Sequence, residues 1–471
     1  MNEAYANKNL KSITVILLIT SFLLMIRPLC LITQHVPLEY NEGWNAYLAD
    51  AAFQSEDGQH LYPDKFSTIT NNYPPFSFII VGGLGKIIGD NIIAGRFINI
   101  ISIIMTSIII FMIVFKLSNI FYCGIISSLS FLIYSETTFC SYFSVNDPQW
   151  LSNSLMLAGF LLCLYYKNKK MIIISAFLMV FSGFIKHNLL ALPLSTIIYL
   201  YFIDKKSCFI FIISGLSFLS LLFGISYAEY GPDFLIDVFE NKRVINWHQS
   251  ITTLKKLVEL SPLCAVFFIV LKNRKKYSNS FFIMSFILPF VFLSFILGVM
   301  QASAEGVNYN CFFELLIALI LSLGIYVQRF CNLKNQNDIF NMIIFIILPV
   351  FIFPIPIELT RAYHALKNEK KESKFYSDLI LKIEKNNGQV VCEDLSLCYW
   401  GHKNEIIDFF NTDQKIKIYK NSDFFYKIFK ENDISMVEFR KKSENNFIVT
   451  YVKKLGYKEL YSNDHFIILS K

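Results

Sequence analysis

Apolar runs, most of roughly 17–25 residues and separated by short polar turns, recur from Ile13 to Ile357, and runs of that length predict helices that cross a bilayer. In order they are Ile13–Thr33, Arg96–Lys116, Phe121–Phe139, Trp150–Tyr166, Met171–Ile185, Leu189–Ile203, Ser207–Tyr227, Leu260–Leu271, Phe281–Met300, Cys311–Val327 and Ile339–Ile357. The pattern thus predicts an all-α polytopic membrane protein of about eleven transmembrane helices. A twelfth apolar stretch, Phe76–Ile88, is short and interrupted by Gly82, Gly83 and Gly85, which predicts an interfacial or re-entrant helix. The first run lacks a small-residue cleavage site and reads as a retained helix.

After about Glu358 the pattern becomes soluble. A charged helical stretch is followed by alternating patches such as GQVVCED, ISMVEF and HFIILSK, which predict a small mixed α/β domain. The expected division is therefore a membrane domain, 1–357, and a C-terminal domain, 358–471. Charge sets the orientation. Lys8 and Lys11 precede the first span, and basic clusters at 167–170, 205–206 and 272–276 fall in alternate turns, so those turns are cytoplasmic. The opposite turns hold most of the carboxylates and all four Trp, which puts the loop at 34–96 and the C-terminal domain on the extracytoplasmic side.

Composition agrees. Of 471 residues, 54% are hydrophobic and only 17% charged, where a soluble domain has nearer a quarter. The net charge of +7 sits in the cytoplasmic turns, so it is a topology signal, and nucleic acid is not an expected partner. Most of the ten Cys lie in apolar runs as small hydrophobes. Cys392 and Cys398 are the exception, both predicted outside, where a bridge forms if their Cα atoms approach within about 7 Å.

Candidate chemistry gathers at the external ends of the spans. In EYNEGWNAYLA, Glu39 and Glu42 lie within a turn of each other beside Tyr40, Trp44 and Tyr47. A carboxylate in such a setting suits a general base for a hydroxyl acceptor; an interfacial loop with solvated acids accounts for the same residues. Asp147, before Pro148, fits a helix N-terminus, with or without a catalytic role. Lys186 opposes the charge bias of the outer side and suits a lipid phosphate; His187 is a second donor, and Arg96 either a third or an interfacial anchor. Glu314, a turn inside a late helix, needs a partner that Lys186 or Arg96 could supply. Arg243, Trp247 and His248 read as a solvated loop. The chain has no HExxH and no Gly-rich phosphate loop, so zinc and soluble-nucleotide chemistry lack support.

YNEGWNAYLA after the first span, NYPPFSF, the GD…AGRF step, NDPQWL, GFIKHNLLALP and GVNYNCFFE appear in this order on the predicted external face. Together they resemble the GT-C glycosyltransferase superfamily, near its protein mannosyltransferase and aminoarabinose transferase group. The resemblance implies a fold of about a dozen membrane helices, with amphipathic helices in the first external loop, in the bacterial inner membrane. It implies a polyprenyl-phosphate sugar as donor, a glycan, lipid or protein as acceptor, and inverting transfer outside the membrane. The family's first-loop pattern is usually Asp-Glu, whereas Asn41-Glu42 stands here; Glu42 is then the first choice of base and Glu39 the second. Asp147 matches a second acidic position, and Lys186 a lysine on the donor phosphate. Some relatives have Lys before the Pro-Pro step, where this chain has Tyr73. Asn41, Trp44, Tyr73, Asn308, Tyr309 and Asn310 complete the expected substrate pocket. No resident cofactor is implied; a divalent metal is compatible but not required. Two other readings are an O-antigen polymerase or ligase, which uses late-loop arginines, and a lipid-linked glycan flippase or other transporter, whose matched inverted halves are not visible.

Overall fold

The computed structural model describes residues 2–53, 60–166, 168–331, 354–443 and 447–471. Among the described residues, five helices are long and apolar enough to cross a bilayer: 10–31 within α1 (Asn2–Leu31), α4 (Asn91–Ser118), the helix from Lys205 to Glu240, Ser280–Ala302 and Tyr309–Arg329. Apolar helices of 17 residues or fewer stand among them, including α5 (Phe121–Thr137), α6 (Gln149–Tyr165), α7 (Lys169–Gly183) and α8 (Ala191–Ile203). At 1.5 Å per residue, 17 residues reach about 26 Å, a little short of the ~30 Å hydrocarbon core. The expected last span, Ile339–Ile357, lies largely outside the described residues.

Local chemistry sets these boundaries. Gly89, at φ 90°, ends α3 (Phe76–Ile88), and Asp90 then caps α4 by accepting from the amides of Ile92 and Ile93. At 13 residues α3 is about 20 Å long, and it packs against α2 (Asn41–Ala51) and α4. Asp204 caps α9 (Lys205–Leu235) through the amides of Lys206 and Ser207. The stretch after Tyr227, expected as an external loop, is largely helical. Gly231 takes φ 68°, Pro232 restarts the helix, and helical turns run on to Glu240 before α10 (Trp247–Lys256). Next in order among the described residues come α11 (Ser261–Lys272), α12 (Ser280–Ala302) and α13 (Phe313–Cys331).

The helix α14 (Pro354–Glu384) leads into a four-stranded sheet of order β1-β2-β4-β3: β1 (Gln389–Cys392), β2 (Ile434–Arg440), β3 (Lys458–Ser462) and β4 (Phe466–Ser470). β1 and β2 are parallel and joined through three helices, α15 (Leu395–Trp400), α16 (Phe409–Tyr419) and α17 (Asp423–Glu431); β4 is antiparallel to β2 and β3. Side chains alternate between two cores. Val437, Ile467 and Leu469 pack with Phe425, Phe429 and Val452, the last from α18 (Phe447–Lys454). Met436, Phe466 and Ile468 pack on Leu379 and Ile383 of α14, in a cluster that also takes in Ala46 of α2 and Ile92 of α4. That second core seats the α/β unit on α2 and the start of α4. Gly43 allows the fit, since a Cβ there would run into the backbone of Leu395 and Ser396. Cys392 and Cys398 are bridged, with Cα atoms 5.8 Å apart.

Candidate active site

A cavity of about 560 Å3 lies where the segment after α1, the ends of the membrane helices and the α/β unit meet. That volume falls within the range of small-molecule sites. From the first segment it is lined by Glu39, Asn41, Trp44 and Tyr73, from the 184–190 turn by Lys186 and His187, and from the late turn by Asn308 and Asn310. These eight residues, singled out in the sequence, therefore share one cavity.

The two leading charged pairs are placed very differently. Glu42 and Arg96 have fully buried side chains joined in a two-pronged ion pair, Nε to Oε1 and Nη2 to Oε2, both 2.7 Å. The other lone pairs of Glu42 accept from the amides of Leu38 (3.0 Å) and Asn146 (3.1 Å). The other Arg96 donors hold the carbonyls of Leu31, Gln34 and Val36 (3.0, 2.7 and 2.7 Å). Both groups are saturated and neither lines the cavity. The pair ties the exit of α1 to α2 and α4, which is a structural task.

Lys186 and Asp147 form the second pair, at 3.4 Å. Asp147, just before α6, accepts from the Gln149 amide (2.8 Å) and stands behind Lys186, away from the cavity surface. Lys186 faces the cavity and donates to the Tyr73 hydroxyl (3.0 Å). Burial alone would push its ammonium down, but Asp147 and Tyr73 outweigh that and hold it above the ordinary lysine value, so it is charged at neutral pH. Tyr73 itself packs edge-on against Trp44, whose indole N–H is bound to the Thr70 carbonyl.

Glu39 is half-buried in the cavity wall, and one carboxylate oxygen accepts from the Asn41 amide at 2.6 Å. Loss of hydration is the largest influence on it. The Asn41 amide opposes that, the Asp147 charge adds to it, and the carboxyl is pushed up to about 7. A carboxyl poised near neutrality in a cavity has the properties of a general base.

The remaining expected residues are placed as follows. Asn308 caps the Tyr309 amide, and Asn310 exchanges two hydrogen bonds with the side chain of Gln149. Tyr309 is buried behind the wall, bonded to Ser141 and lying under the Lys256 ammonium. Glu314 is paired with neither Lys186 nor Arg96. It accepts from the amides of Ala191 (3.3 Å) and Leu192 (2.7 Å), so its partner is the N-terminus of α8.

Two parts of the wall were not read from the sequence. Arg243, expected as part of a solvated loop, lines the cavity; it donates to the Glu305 carbonyl (3.1 Å), lies over the Phe410 ring and forms no ion pair among the described residues. Its position depends on pairing between the 243–246 and 303–305 segments, where Glu305 N donates to Val244 O and Asn246 N to Ser303 O. Gly306, at φ 81°, leaves the room that Phe410 and Arg243 occupy. The α/β unit supplies the far wall, with Glu393, Asp408, Arg440 and Lys442. Long-range packing brings all of these in, and no local pattern marks them.

The fold and the cavity define a multi-pass membrane protein whose polar site is roofed by a small α/β unit. No family model matches the chain, and no curated protein matches it. Among solved structures, ArnT from Cupriavidus metallidurans bound to undecaprenyl phosphate is similar, with 10% identity, 97% of each chain covered and a TM-score of 0.63. ArnT from the same organism in the apo state gives 10% identity, coverage of 99% of this chain and 98% of that one, and a TM-score of 0.62. At that identity the likeness is one of fold, and it is the GT-C fold that the ordered motifs resemble.

Proposed function

We propose that the protein is a membrane glycosyltransferase that moves a sugar from a polyprenyl-phosphate donor to an acceptor hydroxyl, with this cavity as its extracytoplasmic active site. The observation that supports this reading most is the presence, in one cavity of a GT-C fold, of a carboxyl near neutrality and two basic side chains on other walls. The ArnT neighbour's bound undecaprenyl phosphate supports the donor class.

In the proposed reaction the acceptor oxygen attacks the anomeric carbon in line with the leaving group, and configuration inverts. The bond from that carbon to the phosphate oxygen breaks, Glu39 takes the acceptor proton, and polyprenyl phosphate leaves. Lys186 and Arg243 stabilise the charge developing on the phosphate, the term that preorganised groups supply best. Asp147 orients Lys186 without touching substrate. His187 offers a further donor at the cavity edge. Phosphate is already a good leaving group, so turnover is expected to survive chelation of divalent metals. The cavity would open on the extracytoplasmic face of a bacterial inner membrane, with the α/β unit on the same side.

The test is purified full-length protein in detergent with a panel of radiolabelled polyprenyl-phosphate sugars, comparing wild type with Lys186→Ala. Consumption of one donor by wild type, and loss of its binding in the variant, is expected. Failure to bind or consume any lipid-linked monosaccharide would remove the reading. Arg243 in the cavity also favours a ligase that moves a larger lipid-linked glycan, so polyprenyl-diphosphate oligosaccharides belong in the same panel.

A further inference from the structure

Tyr40 directly follows Glu39 and starts α2. Its side chain is held by two separate parts of the α/β unit, the start of α16 and the end of β2. The hydroxyl donates to Asp408 Oδ1 (3.4 Å) and accepts from the Phe410 amide (3.3 Å), both at the N-terminus of α16. The Arg440 guanidinium, at the end of β2, lies over the ring at 4.7 Å. Arg440 is fixed in turn by Asp394, whose Oδ2 accepts from Nη2 at 3.0 Å, and the Arg440 amide is bound to Glu393 Oε2 (2.9 Å). Glu393 and Asp394 lie within the short loop that the Cys392–Cys398 bridge closes. Strand, bridge, arginine and tyrosine therefore form one continuous chain of contacts that ends at the backbone of Glu39.

From these contacts we infer that Arg440 is a positioning residue for Glu39, so that the α/β unit completes the active site by fixing where the base sits. The inference rests on the reading of Glu39 as base. A stacked guanidinium restrains Tyr40 more firmly than a flexible ammonium can, because a planar cation lies flat on a ring face while its edge stays on a carboxylate. Its charge also acts on Glu39. The groups facing that carboxyl are Asp147 and Tyr142 from the segment before α6, Glu42 from α2, itself paired with Arg96, and Arg440 from β2. Of these, Arg440, itself paired with Asp394, is the cation that acts on Glu39, and it opposes the two carboxylates that disfavour ionisation. Arg440 is itself faced by Asp394, Glu438 and Tyr40.

The experiment uses the full chain in nanodiscs with the donor that the panel identifies, measuring kcat, donor KM and the acid limb of the pH–rate profile. Arg440→Gln is expected to lower kcat about tenfold or more at unchanged donor KM, since a small misplacement of a reacting group is costly. It should also move the acid limb up by about one pH unit. Arg440→Lys should return the limb to its wild-type place while restoring kcat only in part. Tyr40→Phe keeps the stacked ring and the charge, so it should lower kcat without moving the limb. Thermal unfolding of each variant shows that it is folded, and Tyr40→Phe tests the contact should Arg440→Gln not fold. If Glu39→Gln abolishes turnover but Arg440→Gln leaves kcat and the limb unchanged, the inference is overturned and the base survives. If Glu39→Gln turns over normally, the base reading fails, and this inference with it.

Discussion

Two buried acid–base pairs, Glu42–Arg96 and Asp147–Lys186, adjoin the same cavity, and they differ in what is left over. Every acceptor site of Glu42 is occupied, and Arg96 spends its donors on Glu42 and the carbonyls after α1. In the other pair the contact is longer, 3.4 Å against 2.7 Å, and Lys186 faces the cavity. A charge satisfied on all sides holds a fold together; a charge with capacity to spare can meet a ligand. By that criterion Arg96 and Glu42 are structural, Lys186 and Glu39 are the reactive candidates, and Asp147 lies between.

Breaking the saturated pair should have the largest effect. Arg96→Ala leaves Glu42 buried without its counter-ion, at a cost of about 3–5 kcal/mol, enough to leave little folded protein by size-exclusion chromatography. Glu39→Gln should fold normally and lower the rate by roughly 10²–10⁴-fold, the range for loss of a general base, with donor binding kept. The pH profile sharpens the contrast. A base must be deprotonated to act, and the Glu39 carboxyl sits at about 7, so the rate should fall about tenfold per unit as pH drops below that value and level off above it. A limb near the ordinary glutamate range would point to another base. The smallest effect concerns the roof. Reducing Cys392–Cys398 releases a loop of only six residues' separation, a loss of about 2 kcal/mol felt mainly in the α/β unit. It should appear as a lower unfolding temperature under reductant, with the membrane helices retained by circular dichroism.

Membrane helices were legible because a bilayer demands long apolar runs, and the ends of α6 and α8 fall within two residues of those the pattern predicts. Residues after Tyr227 read as loop because Gly-Pro usually stops a helix, yet here Gly231 only bends it. Of the site, the part built from short segments at span ends was visible: Glu39, Asn41, Trp44, Tyr73, Lys186 and Asn308 all reach the cavity. Spacing could not rank Glu39 against Glu42, because the two differ only in which face of a helix start meets Arg96. Arg243, which reads as part of a solvated loop, and Arg440, which is not singled out, could not be placed for a different reason. Each is placed by contacts far along the chain, Arg243 by the 303–305 segment and Arg440 by the strand pairing of β2, and neither has a local signature.

The central claim is that Glu39, and not its saturated neighbour, takes the acceptor proton. Its most direct test is the single-turnover rate of donor consumption by wild type and Glu39→Gln across pH 5–9. The account predicts an acid limb near 7 in wild type, and in the variant a rate reduced by about 10²-fold or more with that limb gone. A variant that keeps the wild-type rate and the wild-type limb would contradict it.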